Sequence, residues 1–136
     1  MSSFGQPHSQ DVKIKVNHVA ISVTDLEESE VFYRDIIGLK QIPEPFGVGR
    51  HAWFDIGGTQ LHVIKSSDQR TEHIMQNHIC LSVHDLDEFA NVLTNNGVKY
   101  MDLDGNEGQM NHRPDGVRQI YLTDPDGYWL EINDEY

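Results

Sequence analysis

Three kinds of feature are scarce in this chain of 136 residues, and each scarcity excludes a class of protein. Cys80 is the only cysteine, so no disulfide can form within the chain, which favours a reducing compartment. The 10 basic residues stand against 22 acidic ones, and the net charge of −12 repels nucleic acid. No apolar run approaches the length of a membrane span, and the opening MSSFGQPHSQ lacks a signal-peptide pattern. We therefore expect a cytoplasmic protein that binds neither nucleic acid nor a membrane.

What the sequence does contain is an internal repeat. Residues 17–28 read NHVAISVTDLEE and residues 77–88 read NHICLSVHDLDE, with seven of the twelve positions identical. In each half an alternating strand pattern precedes a helix, capped by Asp25 or Asp85, and three shorter strand patterns follow. A repeat of this length predicts the duplication of one strand–helix–three-strand unit.

The pattern also predicts where each unit begins and ends. We expect a disordered tail at 1–11, a first module at 12–64, a polar linker at 65–76 and a second module at 77–136. The first strand is predicted from Val12 to Val23, and a short strand of the second half from Lys99 to Leu103.

Four potential metal ligands fall at matched positions of the repeat. His18 matches His78, and His62 matches Glu131 because each of these two follows a glycine by four residues. All four lie on the strand face opposite the large apolar residues, beside small side chains that leave room for a cavity. A single strand histidine is more often plain surface, but joint placement favours a divalent transition metal: imidazole and carboxylate donors suit Zn, Ni, Co, Mn or Fe.

Several other polar residues are candidates for contact with a substrate. Arg50 and Arg118 each open the third strand of their unit and could hold an anionic group, although an arginine that merely solvates a strand end is the more common case. His112 and His51 lie in or beside loops that could edge the cavity. Cys80 has no adjacent cation and is interpreted as a small buried residue rather than a nucleophile.

Four segments of the sequence resemble the vicinal oxygen chelate superfamily. The segments are NHVAISVTDLEESEVFYRDIIGL, GGTQLHVI, NHICLSVHDLDEF and YLTDPDGYWLEI, and the resemblance covers almost everything from Val12 to Asn133. This superfamily includes glyoxalase I, methylmalonyl-CoA epimerase, fosfomycin-resistance proteins, extradiol dioxygenases and bleomycin-binding proteins.

The resemblance implies a single domain, 12–136, with an α+β fold. Its two tandem βαβββ modules are expected to curl into an eight-stranded open barrel with the helices on the outer face. The family takes its metal ligands from the first and last strands of the modules, which correspond here to His18, His62, His78 and Glu131. Many members are homodimers, some of which build each site from two chains.

The resemblance also implies an activity. We expect a metal-dependent lyase or isomerase of glyoxalase type, in which a small oxygen-rich substrate chelates the metal and Glu131 serves as ligand and proton shuttle. Glyoxalase I usually has a glutamate on the last strand of both modules, whereas the first module here offers His62. An iron-dependent extradiol dioxygenase, with His62 outside the ligand set, and a drug- or metabolite-binding protein without catalysis are the alternatives.

Overall fold

The computed structural model describes Gly5 and residues 13–68 and 72–136. The elements of these residues follow one another in the order strand, helix and three strands, and then repeat that order. The first half comprises β1 (His18–Val23), α1 (Leu26–Val31), a π-helical turn (Phe32–Ile36), β2 (Lys40–Ile42), β3 (His51–Asp55) and β4 (Gln60–Lys65). The second half comprises β5 (His78–Ser82), α2 (Leu86–Asn95), β6 (Asn111–His112), β7 (Arg118–Thr123) and β8 (Trp129–Asn133).

Each half forms its own four-stranded sheet with the same topology. The strand orders are β1-β4-β3-β2 and β5-β8-β7-β6. The first strand of each half pairs parallel with the last, and the other pairings are antiparallel. The predicted α+β fold with two tandem βαβββ modules is confirmed, and the sheets remain two open sheets rather than one closed barrel.

Both helices begin where the capping pattern predicts. The side chain of Asp25 accepts a hydrogen bond from the Glu28 amide at 3.1 Å, and Asp85 accepts one from the Glu88 amide at 3.0 Å. These bonds satisfy an amide that the first helical turn leaves without a partner. The same cap is therefore present in both halves.

Two predicted strands differ from the observed ones. β1 begins at His18 instead of Val12, because its parallel partner β4 begins only at Gln60, which lies opposite His18. The strand expected at Lys99–Leu103 is reduced to bridges that involve Met101, and β6 lies further on, at Asn111–His112. There Asp102 accepts bonds from the amides of Asp104 and Asn106, which closes a turn and stops a strand. The predicted tail, apart from Gly5, and residues 69–71 of the predicted linker lie outside the described residues.

One apolar core joins the two halves. It lies between the helices and one face of each sheet, and includes Val23, Phe54, Leu61 and Val63 from the first half and Leu86, Leu93, Ile120, Leu122, Leu130 and Ile132 from the second. The Tyr33 hydroxyl donates to Asp124 Oδ2 at 2.6 Å across the junction of the halves, where both side chains are buried. Nearby, Thr24 donates through its amide and hydroxyl to Asp126. No helix in the described residues is long and apolar enough to cross a lipid bilayer.

Candidate metal centre

The two sheets present matching rows of side chains on the faces opposite the core. The strand register places Ala20, His62 and Trp53 side by side in the first sheet, and Cys80, Glu131 and Tyr121 side by side in the second. His62 and Glu131 therefore occupy equivalent positions, as the repeat predicts. The surroundings of these two side chains are nevertheless different.

In the first half, His62 is held in a stack of rings. Its imidazole lies 4.1 Å from that of His18, with 13° between the planes, and 3.8 Å from the Trp53 indole, with 21° between the planes. Its Nε2 lies 3.1 Å from Gln60 Oε1. Because the amide oxygen only accepts, this contact requires a proton on Nε2 and removes that nitrogen as a metal ligand while it persists.

His18 and His78 instead present a free Nε2. His78 Nδ1 lies 2.7 Å from the backbone carbonyl of Met75, and His18 Nδ1 lies 2.7 Å from Asn17 Oδ1. A carbonyl oxygen only accepts, so Nδ1 carries the proton and the lone pair of the neutral ring is on Nε2. Metal-binding histidines are oriented in this way by an acceptor behind the ring.

Glu131 is the most strongly anchored polar side chain of the site. Tyr121 Oη donates to its Oε1 at 2.7 Å, Cys80 Sγ to Oε2 at 2.9 Å, and Asn133 Nδ2 to Oε2 at 3.3 Å. His78 Nε2 lies 3.5 Å from Oε1, which places a nitrogen lone pair and a carboxylate oxygen next to each other. The pair has the donor types and the spacing of half a metal site.

The hydrogen bonds also fix the charge of these groups. Burial raises the pKa of Glu131, but the hydrogen bonds from Cys80, Tyr121 and Gln119 and the nearby His78 outweigh it, so the net pKa lies below its ordinary value. Partial desolvation of the thiol and its hydrogen bond to the charged Glu131 raise the pKa of Cys80 to about 12. At neutral pH, Glu131 is therefore a carboxylate, and Cys80 is a neutral thiol that donates a hydrogen bond to it. Burial, with smaller effects of His18 and His51, lowers the pKa of His62, so this ring is neutral as well.

The four predicted ligands form two pairs rather than one cluster. Among the described residues, no group of three or more His, Cys, Asp or Glu side chains comes together closely enough to hold a metal ion. His18 and His62 meet on the first sheet, and His78 and Glu131 on the second. The donor chemistry fits a divalent transition metal, but each pair needs at least one further ligand.

The predicted substrate contacts occupy three different settings. Arg118 is engaged by two carboxylates, with its Nη1 3.0 Å from Asp87 and its Nε 3.1 Å from Asp134. Arg50 is exposed at the start of β3, and His112 is exposed on the edge strand β6.

Several residues of the site escaped the reasoning from sequence. Tyr121 and Asn133 donate to Glu131, and Trp53 stacks on His62. Cys80, interpreted from sequence as buried, is exposed and donates to Glu131. The hairpin register across the DPDG turn, which sets Tyr121 opposite Glu131, is the signal that could have identified the tyrosine.

Comparisons with known proteins agree with this fold. Residues 15–132 match the family model described as the Glyoxalase/Bleomycin resistance protein/Dioxygenase superfamily. Metallothiol transferase FosB of Lysinibacillus sphaericus is 30% identical over 121 residues, which cover 87% of this chain and 80% of that protein. Mouse mitochondrial methylmalonyl-CoA epimerase is 30% identical over 104 residues, covering 62% of this chain and 58% of its own. The solved structure of the oxidase ChaP-H2 superposes with a TM-score of 0.75 at 28% identity, covering 92% of this chain and 96% of that one.

Proposed function

Because this chain belongs to the Glyoxalase/Bleomycin resistance protein/Dioxygenase superfamily, we propose that it is a metal-dependent enzyme that acts on a small, oxygen-rich substrate. The observation that carries the proposal is the contact between His78 and Glu131, an imidazole nitrogen 3.5 Å from an anchored carboxylate oxygen. The same membership confirms the resemblance to the vicinal oxygen chelate proteins.

The proposed ligands are His18, His78 and Glu131. Each has its donor atom set by a partner behind it, whereas the Nε2 of His62 faces Gln60. Of the four predicted ligands, we therefore leave His62 out of the ligand set and propose that its ring lines the site. A divalent metal bound there would act as a Lewis acid on oxygen atoms of the substrate.

We further propose that the site is completed between two chains of a homodimer. A hydrogen bond between Tyr33 and Asp124 joins the two halves of one chain, and in this arrangement the ligand pairs of the two halves remain separate. His18 and His78 are both exposed within one chain, so a second chain could cover them. The proposed arrangement brings His18 of one chain to His78 and Glu131 of the other.

The setting of Glu131 bears on the class of reaction. Its oxygens accept three hydrogen bonds, and its lowered pKa makes it a weak base. This favours a ligand over the proton shuttle that an isomerase needs. We therefore favour the transfer of a thiol, the type of activity that the name metallothiol transferase denotes. In the proposed step a thiol sulfur bonds to an electrophilic carbon of the substrate, a carbon–oxygen bond breaks, and the thiol proton ends on that oxygen.

Two other activities remain candidates on specific grounds. Glyoxalase-type isomerisation would use Glu131 as base and would require it to leave its three donors. An oxygenase is compatible with two histidines and one carboxylate, the ligand type of non-haem iron enzymes, and with the likeness to the oxidase ChaP-H2.

Metal analysis of protein purified without a histidine tag tests the central proposal. Wild type should hold metal after reconstitution with zinc, and Glu131→Ala should not. Glu88→Ala, which removes an exposed carboxylate on α2 outside the proposed ligand set, serves as the control and should bind like wild type. Equal and negligible metal in wild type and Glu131→Ala would contradict the proposal.

Mixing two inactive variants tests the two-chain site. His18→Ala and Glu131→Ala should each lose metal, and after exchange of subunits the mixture should recover roughly a quarter of the wild-type sites, because half of the dimers are mixed and each has one intact site. A site built within one chain would recover nothing. That result would reject the shared site and leave the metal dependence standing.

The reaction class is tested by three assays on the metal-loaded enzyme. Loss of free thiol with an epoxide, isomerisation of a hemithioacetal, and oxygen uptake on catechols with ferrous iron separate transfer, isomerisation and oxygenation. A ligand-induced rise in Tm that persists in EDTA, with no product in any assay, would instead indicate a binding protein.

A further inference from the structure

The ends of the two sheets carry a matched pair of arginines in opposite charge environments. Arg50 precedes β3 and Arg118 opens β7. The carbonyl of Arg50 accepts from the Lys65 amide at 2.8 Å, and that of Arg118 accepts from the Asp134 amide at 3.3 Å. The same backbone contact therefore places a lysine beside the first arginine and an aspartate beside the second.

In the second half, the arginine is neutralised. Arg118 Nε lies 3.1 Å from Asp134, and its two terminal nitrogens lie 3.0 and 3.2 Å from Asp87. These contacts of Arg118 link the start of β7 to the residue after β8 and to α2. The two carboxylates balance the positive charge of this guanidinium, so it does not require an anionic ligand.

In the first half, no such partner is found in the part of the chain that the structure describes. Arg34, Arg113 and Arg118 each form ion pairs with carboxylates, whereas none involves Arg50 or Lys65. Like charges at neighbouring positions of paired strands are destabilising. In a protein of net charge −12, two cations left together at one place indicate a ligand of opposite charge.

The two cations line the same cavity. It has a volume of about 590 Å³, and its walls are Thr24, Gly49, Arg50, Lys65, Ser66 and Ser67, with no carboxylate among them. The Ser66 oxygen accepts from the Asp68 amide at 3.1 Å, so its hydroxyl hydrogen is available for donation. The Thr24 hydroxyl already donates to Asp126 at 2.8 Å and is not available.

This cavity is separate from the proposed metal ligands. Lys65 lies two residues after Val63 and Arg50 two residues before Ala52, and both of those residues are buried in the core. Alternation along a strand therefore directs Arg50 and Lys65 to the helix side of the sheet, whereas His62 lies on the opposite face. A ligand bound in this cavity would not depend on metal.

We propose that Arg50 and Lys65 form a binding site for a phosphate group. A phosphate dianion balances the two positive charges, and its oxygens can accept the two donors of a guanidinium side by side together with an ammonium and a serine hydroxyl. The group belongs either to inorganic phosphate or to a phosphate monoester. The chain thus offers a site for phosphate at the position where its second half has an internal ion pair.

Calorimetric titration of EDTA-treated protein with inorganic phosphate tests the proposal. Wild type should show saturable binding that weakens with added salt. Lys65→Asp introduces the charge found at Asp134 and should reduce the affinity for phosphate by more than about tenfold. The reason is that loss of a charged partner costs more binding free energy than a tenfold change in affinity represents. Lys13→Asp makes the same charge change elsewhere on the surface and should bind like wild type.

Further measurements test whether Lys65→Asp loses binding only because it is misfolded. Circular dichroism of Lys65→Asp should show the wild-type fold with an equal or higher Tm, and Arg50→Gln should weaken binding independently. A phosphate monoester that binds more tightly than inorganic phosphate identifies a larger ligand, and the reverse identifies the free ion. Absence of saturable binding to wild type, equal affinity of Lys65→Asp, or acetate binding as tight as phosphate would overturn the proposal.

Discussion

The two halves of this protein have the same architecture and different chemistry. Both contain a capped helix between the first two strands and the same order of strands in the sheet. The side chains at matched positions have nevertheless diverged: His62 corresponds to Glu131, and Lys65 to Asp134. Duplication thus supplies equivalent positions, and single substitutions at these positions change the charge and the contacts of the side chain.

The open faces illustrate the difference. In the first sheet, Trp53 and His18 cover the two faces of His62, which leaves an aromatic wall. In the second sheet, Tyr121 and Cys80 direct hydrogen bonds at Glu131 and keep it ionised. The second half therefore presents two of the proposed metal ligands, and the first half presents one.

The junctions between the halves differ in the same manner. On one side, Tyr33 donates to the buried Asp124, the burial of which raises the pKa of its carboxyl. On the other side, the positions of Tyr33 and Asp124 are taken by Leu93 and Asp55, and a cavity of about 700 Å³ lies between the halves. Within the described residues, Asp55 there accepts from the amides of Gly57 and Gly58 in its own turn and from no residue of the second half. One junction is therefore closed by a buried hydrogen bond, and the other contains a cavity.

The largest expected effect separates His62 from Glu131. Glu131→Ala should lower zinc affinity by more than the roughly 10–100-fold that loss of an outer partner costs, because it removes a ligand. His62→Ala should keep metal affinity within that range, since it removes only a wall of the site. Zinc competition with a chelating dye measures both variants, and equal large losses would restore His62 as a ligand.

A smaller effect is expected at the fastened junction. Tyr33→Phe removes the donor to a buried carboxylate and should lower the free energy of unfolding by about 1–3 kcal/mol. Urea denaturation followed by circular dichroism measures the change. Tyr100→Phe is the matched control, because no hydrogen bond of the Tyr100 hydroxyl is found within the described residues, and it should change stability far less. Equal losses in the two variants would contradict the importance of the junction.

The smallest effect concerns the ion pair at the end of the second sheet. The amide and guanidinium of Arg118 lower the pKa of Asp134 in the folded state despite its partial burial. The stabilisation is therefore present above the unfolded pKa of about 3.9 and is lost as the pH falls through the lower folded value. Asp134→Asn should be less stable than wild type by about 0.2–1 kcal/mol at pH 7, a difference that shrinks as the pH falls below the unfolded pKa of about 3.9.

The first half provides the contrasting measurement. Lys65→Gln removes one of two like charges at the end of the first sheet, so it should raise the free energy of unfolding slightly at pH 7, where Asp134→Asn should lower it. A loss of stability in Lys65→Gln would indicate an acidic partner that the described contacts lack. Urea titrations at three pH values suffice for both variants.

Much of the fold followed from local patterns in the sequence. The repeat and the caps at Asp25 and Asp85 are local signals, and the structure has the helices where they predict. The start of β1 was predicted six residues too early, because strand length depends on a partner far away in the chain. The short strand expected at Lys99–Leu103 failed for a related reason, since the turn at Asp102 competes with pairing.

The sequence by itself determined the duplicated architecture and the types of donor at matched positions, because periodicity, caps and turns act over a few residues. Only the tertiary structure decided that the four predicted ligands form two separate pairs, that His62 is stacked while Glu131 is anchored, and that Arg118 has acidic partners while Arg50 has a lysine beside it. These outcomes depend on strand register and on contacts between distant segments, and no local pattern encodes the distance between two such side chains.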